Sequence, residues 1–395
     1  MAITQVRAQF NGQWYNLTLN AAGTAYEATI TPDEFSGNQP GGYYNVAVEA
    51  TNDSGAVVTA DGSTLDGLRL VVRENVPPTL TLISPAAGYV TSNTPTVTWR
   101  AVDNVGGSGI DPDSAVVELD GAAVPEDRVT VTAGDGGAYI IAYTPAAALS
   151  DGSHTVQASI QDNDGNPAAL ETVYIIDTVP PALETELSFE EVVVDAYTVT
   201  ISGTASDVTA SPVSVSVENN GETVETQGAP FAFTVPLEVG ENHITVTAMD
   251  AAGLTTSKQY YVIRLVTDRV QADVDELNDK GTYNASDLNR VNIAMDYIND
   301  WMLAAGYSSG FSDQGITWTV EDIPVQSQMA AYLENVEALK DVFPMPGAPD
   351  APETMQFLTY IGANNIETIL VLIDRVRPLL QRSWFYSNEI FCGEV

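Results

Sequence analysis

Residues 243–253 read HITVTAMDAAG, and the same pattern occurs twice earlier in the chain, as YNVAVEATNDSG at residues 44–55 and HTVQASIQDNDG at residues 154–165. In each copy, apolar or small residues alternate with polar ones, which is the period of a strand with one buried face. Each copy then ends on an Asx residue followed three positions later by glycine, as tight turns require. These positions are Asn52, Asp162 and Asp250, with Gly55, Gly165 and Gly253. A pattern that occurs three times predicts three related domains.

The segments that flank each copy repeat as well. Asn-Gly or Asp-Gly pairs ending at Gly12, Gly121 and Gly221 lie between alternating stretches, which is the strongest short-range signal for a β-hairpin. Another alternating stretch follows each hairpin, and two further strands precede the second and third copies. About seven short strands in about 100 residues predict an immunoglobulin-like sandwich, although the antibody-type cysteine pair is missing.

Proline pairs at 77–78 and 180–181 mark domain boundaries, because proline cannot donate to a strand ladder and stiffens a connection. The chain is therefore predicted to be multidomain: residues 1–75 form a short or incomplete immunoglobulin-like domain, residues 76–178 and 179–265 form two more, and residues 266–395 form a mainly helical assembly domain. The first domain lacks its first two strands. Either residues 56–74 fold back to supply the missing strand, or a neighbouring subunit completes the domain.

After Leu265 the apolar spacing becomes helical. Residues 267–281, 284–302, 322–343 and 364–384 carry apolar residues three or four positions apart. Asn284 and Asp287 predict a capping box, and Pro324 suits the first turn of the third helix. Pro378 should kink or end the last helix, after which residues 385–395 are predicted to be extended.

The charge of the chain limits its partners. With 14 Lys and Arg against 53 Asp and Glu, the net charge is -39, which repels phosphate backbones and anionic lipid and predicts neither nucleic-acid binding nor membrane insertion. An apolar content of 44% predicts a folded chain. The lone cysteine, Cys392, cannot form an internal disulfide. The opening MAITQVRAQF has no signal-peptide pattern, so no secretion signal is expected.

Candidate catalytic residues are scarce. The only two histidines, His154 and His243, occupy the same position in two repeats, which favours a structural role over catalysis or zinc binding. Without another histidine, a serine or cysteine nucleophile has no such base to activate it. Neighbouring carboxylates such as Glu321 and Asp322 are expected by chance in so acidic a chain. The sequence therefore predicts a protein that is not an enzyme.

Two acidic loops of the second domain form a candidate cation site. In an immunoglobulin-like sandwich, the loop after the second strand and the loop after the sixth lie at the same end. Oxygen ligands that converge there suit structural calcium. The candidate ligands are Asp103, Asn104, Asp111, Asp162 and Asp164. Alternatively, these residues are Asx turns that cap their loops, which the absence of EF-hand spacing favours.

The chain opens with MAITQVRAQFNGQWYNL, and its C-terminal region contains the segments TYNASDLNRVN, DIPVQSQMAAYLENVEAL, LTYIGANNIETIL and FYSNEIFCGEV. In these segments the chain resembles tandem bacterial-type immunoglobulin-like proteins of bacteriophage or prophage virions. The resemblance implies a non-enzymatic tail, fibre or decoration protein, located in the virion and assembled in the host cytoplasm. The implied partners are other virion proteins, further copies of this chain and host-surface glycans. A bacterial surface adhesin and an array of carbohydrate-binding modules remain alternatives.

Overall fold

The computed structural model describes residues 2–10, 12–30, 44–70 and 73–387, with side chains described up to residue 380. Two compact units divide the chain, Met1–Thr178 and Val179–Val395. The first unit contains the first and second modules, and the second contains the third module and the helices. None of the described helices is long and apolar enough to span a bilayer.

The first module is an antiparallel sheet of five strands in the order β3-β2-β1-β5-β6, accompanied by the two-stranded ladder β4-β7. Val6, Ala8 and Phe10 of β1 point to its small core, as the alternating pattern predicts. The strands are β1 (Ile3–Phe10), β2 (Gln13–Leu19), β3 (Tyr26–Glu27), β4 (Tyr44–Asn45), β5 (Ala47–Asn52), β6 (Val57–Ala60) and β7 (Arg69–Leu70).

Strands of segment 56–74 do fold back within the chain, but the longer of them, β6, does not replace either of the two absent strands. Strand β6 pairs with β5, whereas the two strands missing at the start would belong to the opposite layer of a sandwich. β6 thus takes the position that the final strand has in the later modules. The other strand of this segment, β7, pairs with β4 in a separate two-stranded ladder. Completion by a neighbouring subunit stays a prediction.

The second module is a complete sandwich of a four-stranded sheet, β13-β14-β10-β8, and a five-stranded sheet, β12-β11-β15-β16-β9. Trp99 and Ile141 from the first sheet meet Val117, Ile160 and Tyr174 from the second in one core. The strands are β8 (Thr79–Ser84), β9 (Gly88–Val90), β10 (Val97–Val102), β11 (Ile110–Leu119), β12 (Ala122–Ala123), β13 (Val129–Ala133), β14 (Tyr139–Tyr143), β15 (Gly152–Asp162) and β16 (Pro167–Ile176).

The third module repeats this plan with a three-stranded sheet, β17-β19-β22, against a five-stranded one, β18-β24-β23-β20-β21. Ile201 and Phe233 pack from one layer onto Val215 and Val246 from the other. The strands are β17 (Ala182–Leu187), β18 (Val193–Val194), β19 (Thr198–Ser206), β20 (Ser214–Asn219), β21 (Glu222–Gly228), β22 (Phe231–Pro236), β23 (Gly240–Met249) and β24 (Thr255–Arg264). Tandem immunoglobulin-like sandwiches followed by helices are therefore confirmed as the fold class.

The turn chemistry predicted from the repeated stretches is confirmed in all three modules. One side-chain oxygen of the Asx residue accepts hydrogen bonds from the backbone N–H groups two and four residues later, at 2.9–3.0 Å. The glycine after it has a positive φ in each case. The hairpins at Gly121 and Gly221 have the predicted pairing, and Gly12 closes the β1-β2 hairpin.

The helical region contains α1 (Gln271–Asp275), α2 (Ala285–Ala304), α3 (Gln326–Lys340) and α4 (Tyr360–Ser387). The capping box of α2 forms as predicted: Asn284 Oδ1 accepts from the Ser286 N–H, and Asp287 Oδ2 accepts from the Asn284 N–H.

Two helix predictions were wrong in detail, and one of the two alternatives for Pro378 was wrong. The first helix ends at Asp275 because Leu277 adopts a positive φ of 53°, which a helix cannot include. Pro324 lies before α3 instead of in its first turn. Pro378 does not end α4, since a proline removes one N–H from the ladder while the neighbouring turns keep theirs. The predicted extended tail overlaps α4 up to Ser387, and its remainder, residues 388–395, lies outside the described residues.

The third module and the helices share one hydrophobic core. Val193 and Ile263 from adjacent strands pack with Val291 of α2, Val336 of α3 and Ile369 of α4. The helices therefore do not form a body separate from the third module: both belong to the unit Val179–Val395.

Two acids of α4 bind backbone N–H groups at the edge of this module. Asp374 Oδ2 accepts from Val192 and Val193, at 2.6 and 2.8 Å, and Glu367 Oε2 accepts from Val266 at 2.6 Å. Burial raises the pKa of Asp374, although those N–H groups and Arg377 act in the opposite direction. Backbone groups at the sheet edge thus depend on α4 for their partners.

Glu367 is also the centre of a buried ionic network. Its Oε1 lies 2.7 Å from Arg269 Nη2 and 2.9 Å from Arg290 Nη2, and both arginines also contact Asp287 Oδ1. All four side chains are buried. Such a network stabilises a fold only while every charge keeps its partners.

Replacing Glu367 with alanine should destabilise the second unit by about 3–5 kcal/mol, because two buried guanidinium groups would lose a shared carboxylate. Denaturant unfolding followed by hydrogen-exchange mass spectrometry measures this unit separately. Glu334→Ala on the exposed face of α3 is the matched control and should change stability by less than about 0.5 kcal/mol. Equal effects of the two substitutions would contradict the prediction.

Candidate metal centre

Three carboxylates converge at one end of the second module. Glu74, Asp103 and Asp162 each offer one oxygen, and these oxygens all lie within 4.8 Å of one another. Asp103 follows β10, Asp162 ends β15, and Glu74 belongs to the segment that connects the first module to β8. Three distant parts of the sequence therefore meet at one point.

The connecting segment is held in place through the backbone of Glu74. Its N–H donates to Asp164 Oδ2 at 2.9 Å, and its carbonyl accepts from Asn166 Nδ2 at 3.1 Å. One carboxylate oxygen, Oε1, accepts a hydrogen bond from the Ser108 N–H. Glu74 is only 5% exposed, and its other oxygen, Oε2, is buried without a hydrogen-bond partner. A buried carboxylate oxygen without a partner is costly unless another positive group satisfies it.

The loop after β10 folds tightly around Asp103. Its Oδ2 accepts from the Gly109 N–H at 2.6 Å, and its Oδ1 accepts from the Asn104 N–H at 2.9 Å. Neither amide atom of the Asn104 side chain, Oδ1 or Nδ2, has a hydrogen-bond partner, although both are buried. A Cβ at Gly107 would lie 2.5 Å from both Asp103 Oδ2 and Asn104 Oδ1, so the backbone passes directly over these oxygens.

Asp162 contributes a carboxylate that already forms a turn. Its Oδ1 accepts from the N–H groups of Asp164 and Asn166, both at 2.9 Å, and its Oδ2 accepts from Asn166 Nδ2 at 2.7 Å. Asp162 therefore both forms an Asx turn and belongs to the carboxylate cluster. The two alternatives drawn from the sequence are compatible in the structure.

Of the five predicted ligands, the structure brings Asp103 and Asp162 together with Glu74. Asn104 Oδ1 lies near Asp103 Oδ2, since both are 2.5 Å from the position of a Gly107 Cβ. The structure does not place Asp111 with them: Asp111 lies in β11, and its Oδ1 accepts from the Asp113 N–H at 3.2 Å. Asp164 binds the backbone of Glu74 instead. Sequence reasoning missed Glu74, since the repeat comparison covered the loops and not the connecting segment. Its position three residues before a domain-boundary proline pair, Pro77-Pro78, was the one available signal.

The donor set determines which ions the cluster suits. Carboxylate and amide oxygens are ligands for hard cations such as Ca²⁺ and Mg²⁺, whereas zinc prefers histidine and cysteine. Among the described residues, no lysine or arginine forms an ion pair with Glu74, Asp103 or Asp162. Three negative charges within a few ångströms favour a bound cation.

In the third module, Asp207 and Asp250 occupy the corresponding loops. Their carboxylates approach within 4.8 Å, and each accepts hydrogen bonds from its own turn.

Both ring nitrogens of His154 have hydrogen-bond partners. Nδ1 lies 2.8 Å from Asp120 Oδ2, and Nε2 lies 2.9 Å from the Ser150 carbonyl. Burial alone would lower the pKa of His154, but these two hydrogen bonds outweigh it and raise the pKa. His243 stacks near Tyr261, with ring centroids 5.0 Å apart. These contacts agree with the structural role expected for both histidines.

Comparison with known proteins gives similarities to tandem β-sandwich domains. A family model described as glucodextranase, domain B, matches residues 183–265, the third module. The chain is similar to fibronectin(III)-like modules of CbhA from Clostridium thermocellum, with 18% identity, coverage of 47% of this chain and 94% of the other, and a TM-score of 0.33. The chain is also similar to a titin fragment of domains A168–A170, with 14% identity, coverage of 65% of this chain and 87% of the other, and a TM-score of 0.38. No curated protein matches the sequence significantly.

Substituting Gly107 with alanine should destabilise the second module by about 1–3 kcal/mol, because the new methyl group would displace Asp103 or Asn104. Gly67→Ala is the control, since a Cβ there meets no atom within 4 Å and φ is not positive. That control should be neutral or stabilising by up to about 1 kcal/mol. Denaturant unfolding in the presence of chelator measures the stability of both variants. An unchanged stability of Gly107→Ala would contradict the close approach of Gly107 to Asp103 and Asn104.

Proposed function

We propose that the chain is a non-enzymatic structural protein of a bacteriophage virion, in which the immunoglobulin-like modules serve surface or host attachment and the helical region serves assembly. The observation that carries the proposal is the combination of tandem sandwiches with a helical region whose core continues into the last sandwich. A continuous core of this kind holds the helices firmly to the third module. The resemblance of the C-terminal segments to virion proteins supports the same proposal.

The surface of the helical region supports a role in assembly. Leu277, Val320, Ile323 and Phe357 are 81%, 96%, 87% and 89% exposed. All four lie in connections between helices, where exposed side chains of this size gain burial only through a partner. We assign these contacts to further copies of this chain or to other virion proteins.

The location of the chain tests the proposal. Quantitative mass spectrometry and immunogold labelling of purified particles should find the chain at a fixed copy number per particle, with residues 1–178 accessible to antibody. Recovery in the cell-envelope fraction and absence from particles would instead favour a surface adhesin. Glycan-array binding that Trp14→Ala abolishes would favour a carbohydrate-binding module, because Trp14 is a partly exposed aromatic residue on β2.

Assembly through the helical region gives a second test. Phe357→Ser in the full chain should lower the molar mass measured by light scattering after size-exclusion chromatography. Val208→Ser is the matched control, because Val208 is also almost fully exposed but lies in the third sandwich. A monomeric wild-type protein, or an unchanged mass for Phe357→Ser, would argue against homo-oligomerisation through this loop.

A further inference from the structure

We propose that Glu74, Asp103 and Asp162, together with Oδ1 of Asn104, bind a calcium ion that fastens the segment between the first and second modules to the loops of the second. The site joins a residue outside the sandwich to two residues inside it. Calcium would therefore hold the connection between modules in one arrangement.

The first argument is the charge and the unmet hydrogen bonding of Glu74. Its side chain enters a nearly closed environment, where Oε1 has the Ser108 N–H and Oε2 has no partner. Asp103 and Asp162 place two more negative oxygens within 4.8 Å. A cation between carboxylates that lie this close together in a buried place offsets their mutual repulsion.

The second argument is the side-chain amide of Asn104, which is next to Asp103 and also lacks partners. Because both amide atoms are unpaired, the group can turn its oxygen toward a cation without breaking a hydrogen bond. The Gly107 backbone closes over Asp103 and Asn104 and leaves no room for a Cβ. The loop thus presents oxygens from adjacent residues at a single point.

The chemistry favours calcium over other cations. Calcium takes six to eight oxygen ligands in flexible geometry. Here the three carboxylates and one amide would be the side-chain ligands, and water or backbone carbonyls would complete the coordination. Magnesium keeps several of its waters and is usually bound through one or two carboxylates, so a group of three carboxylates and an amide suits calcium better.

The positions of the ligands explain how calcium would fasten the connecting segment to the second module. The backbone of Glu74 is already held by Asp164 and Asn166, so a cation on its side chain adds a second attachment to the same residue. The neighbouring Arg73 is exposed, which makes the Arg73–Glu74 peptide bond a trypsin site. Calcium should slow cleavage there, because a protease needs this segment to leave the module.

The experiment compares the full-length wild type with Glu74→Gln and Asp111→Asn. Glu74→Gln keeps the shape and removes the charge of a proposed ligand, whereas Asp111→Asn removes one charge from a nearby strand outside the cluster. Isothermal titration with calcium chloride is carried out at about 0.15 M KCl, where exposed charges are screened. Trypsin digestion at one fixed calcium concentration follows the release of residues 1–73 by mass spectrometry, and circular dichroism in chelator checks that each variant is folded.

We expect the wild type and Asp111→Asn to bind calcium with equal affinity and to resist cleavage after Arg73. Glu74→Gln should lose at least about tenfold in affinity and be cleaved faster. Absence of calcium binding by the wild type, or equal affinity in Glu74→Gln, would overturn the site. Reduced affinity without faster cleavage would overturn the fastening role.

Discussion

Every module depends on one antiparallel pair, in which the strand that ends on the repeated Asx turn lies beside the first strand of the hairpin. β5 pairs with β1, β15 with β11 and β23 with β20. Because side chains alternate between the two faces, a slip of one residue would turn the core residues of a strand to solvent. The Asx oxygen accepts two N–H groups just beyond the strand, which defines the residue where the pairing stops. Hairpin and turn together determine the register from which the other strands follow.

The Asx residue of this turn also determines the charge at that end of each module. In the first module the Asx residue is Asn52, whose amide is neutral, whereas the later modules have Asp162 and Asp250. An aspartate completes the turn with one oxygen and adds a negative charge to the loop. In the second module this charge lies beside Asp103 and meets Glu74 from the connecting segment. The residue that ends this strand thus also becomes part of a candidate ligand set in the second module, because Asp103 and Glu74 lie beside it.

The last module is stabilised differently. One helix, α4, supplies both Asp374 and Glu367 to backbone N–H groups of the sheet edge, and Glu367 also neutralises two arginines. Buried acids in such positions are costly unless fully paired, so the sandwich edge and the helices stabilise each other. Only 14 lysines and arginines occur in the chain, and two of them are buried at this junction.

The sequence by itself determined the sandwich modules, their hairpins, the Asx turns and the helical character of the C-terminal region, because these depend on periodicity and turn chemistry within a few residues. It also placed Asp103, Asn104 and Asp162 in converging loops, from the topology of the fold alone. Only the tertiary structure decided that Glu74 belongs with them and that Asp111 does not, that β6 forms an edge of its sheet, and that the third module shares a core with the helices. These features depend on which distant segments meet in space, and neither periodicity nor local propensity carries that information.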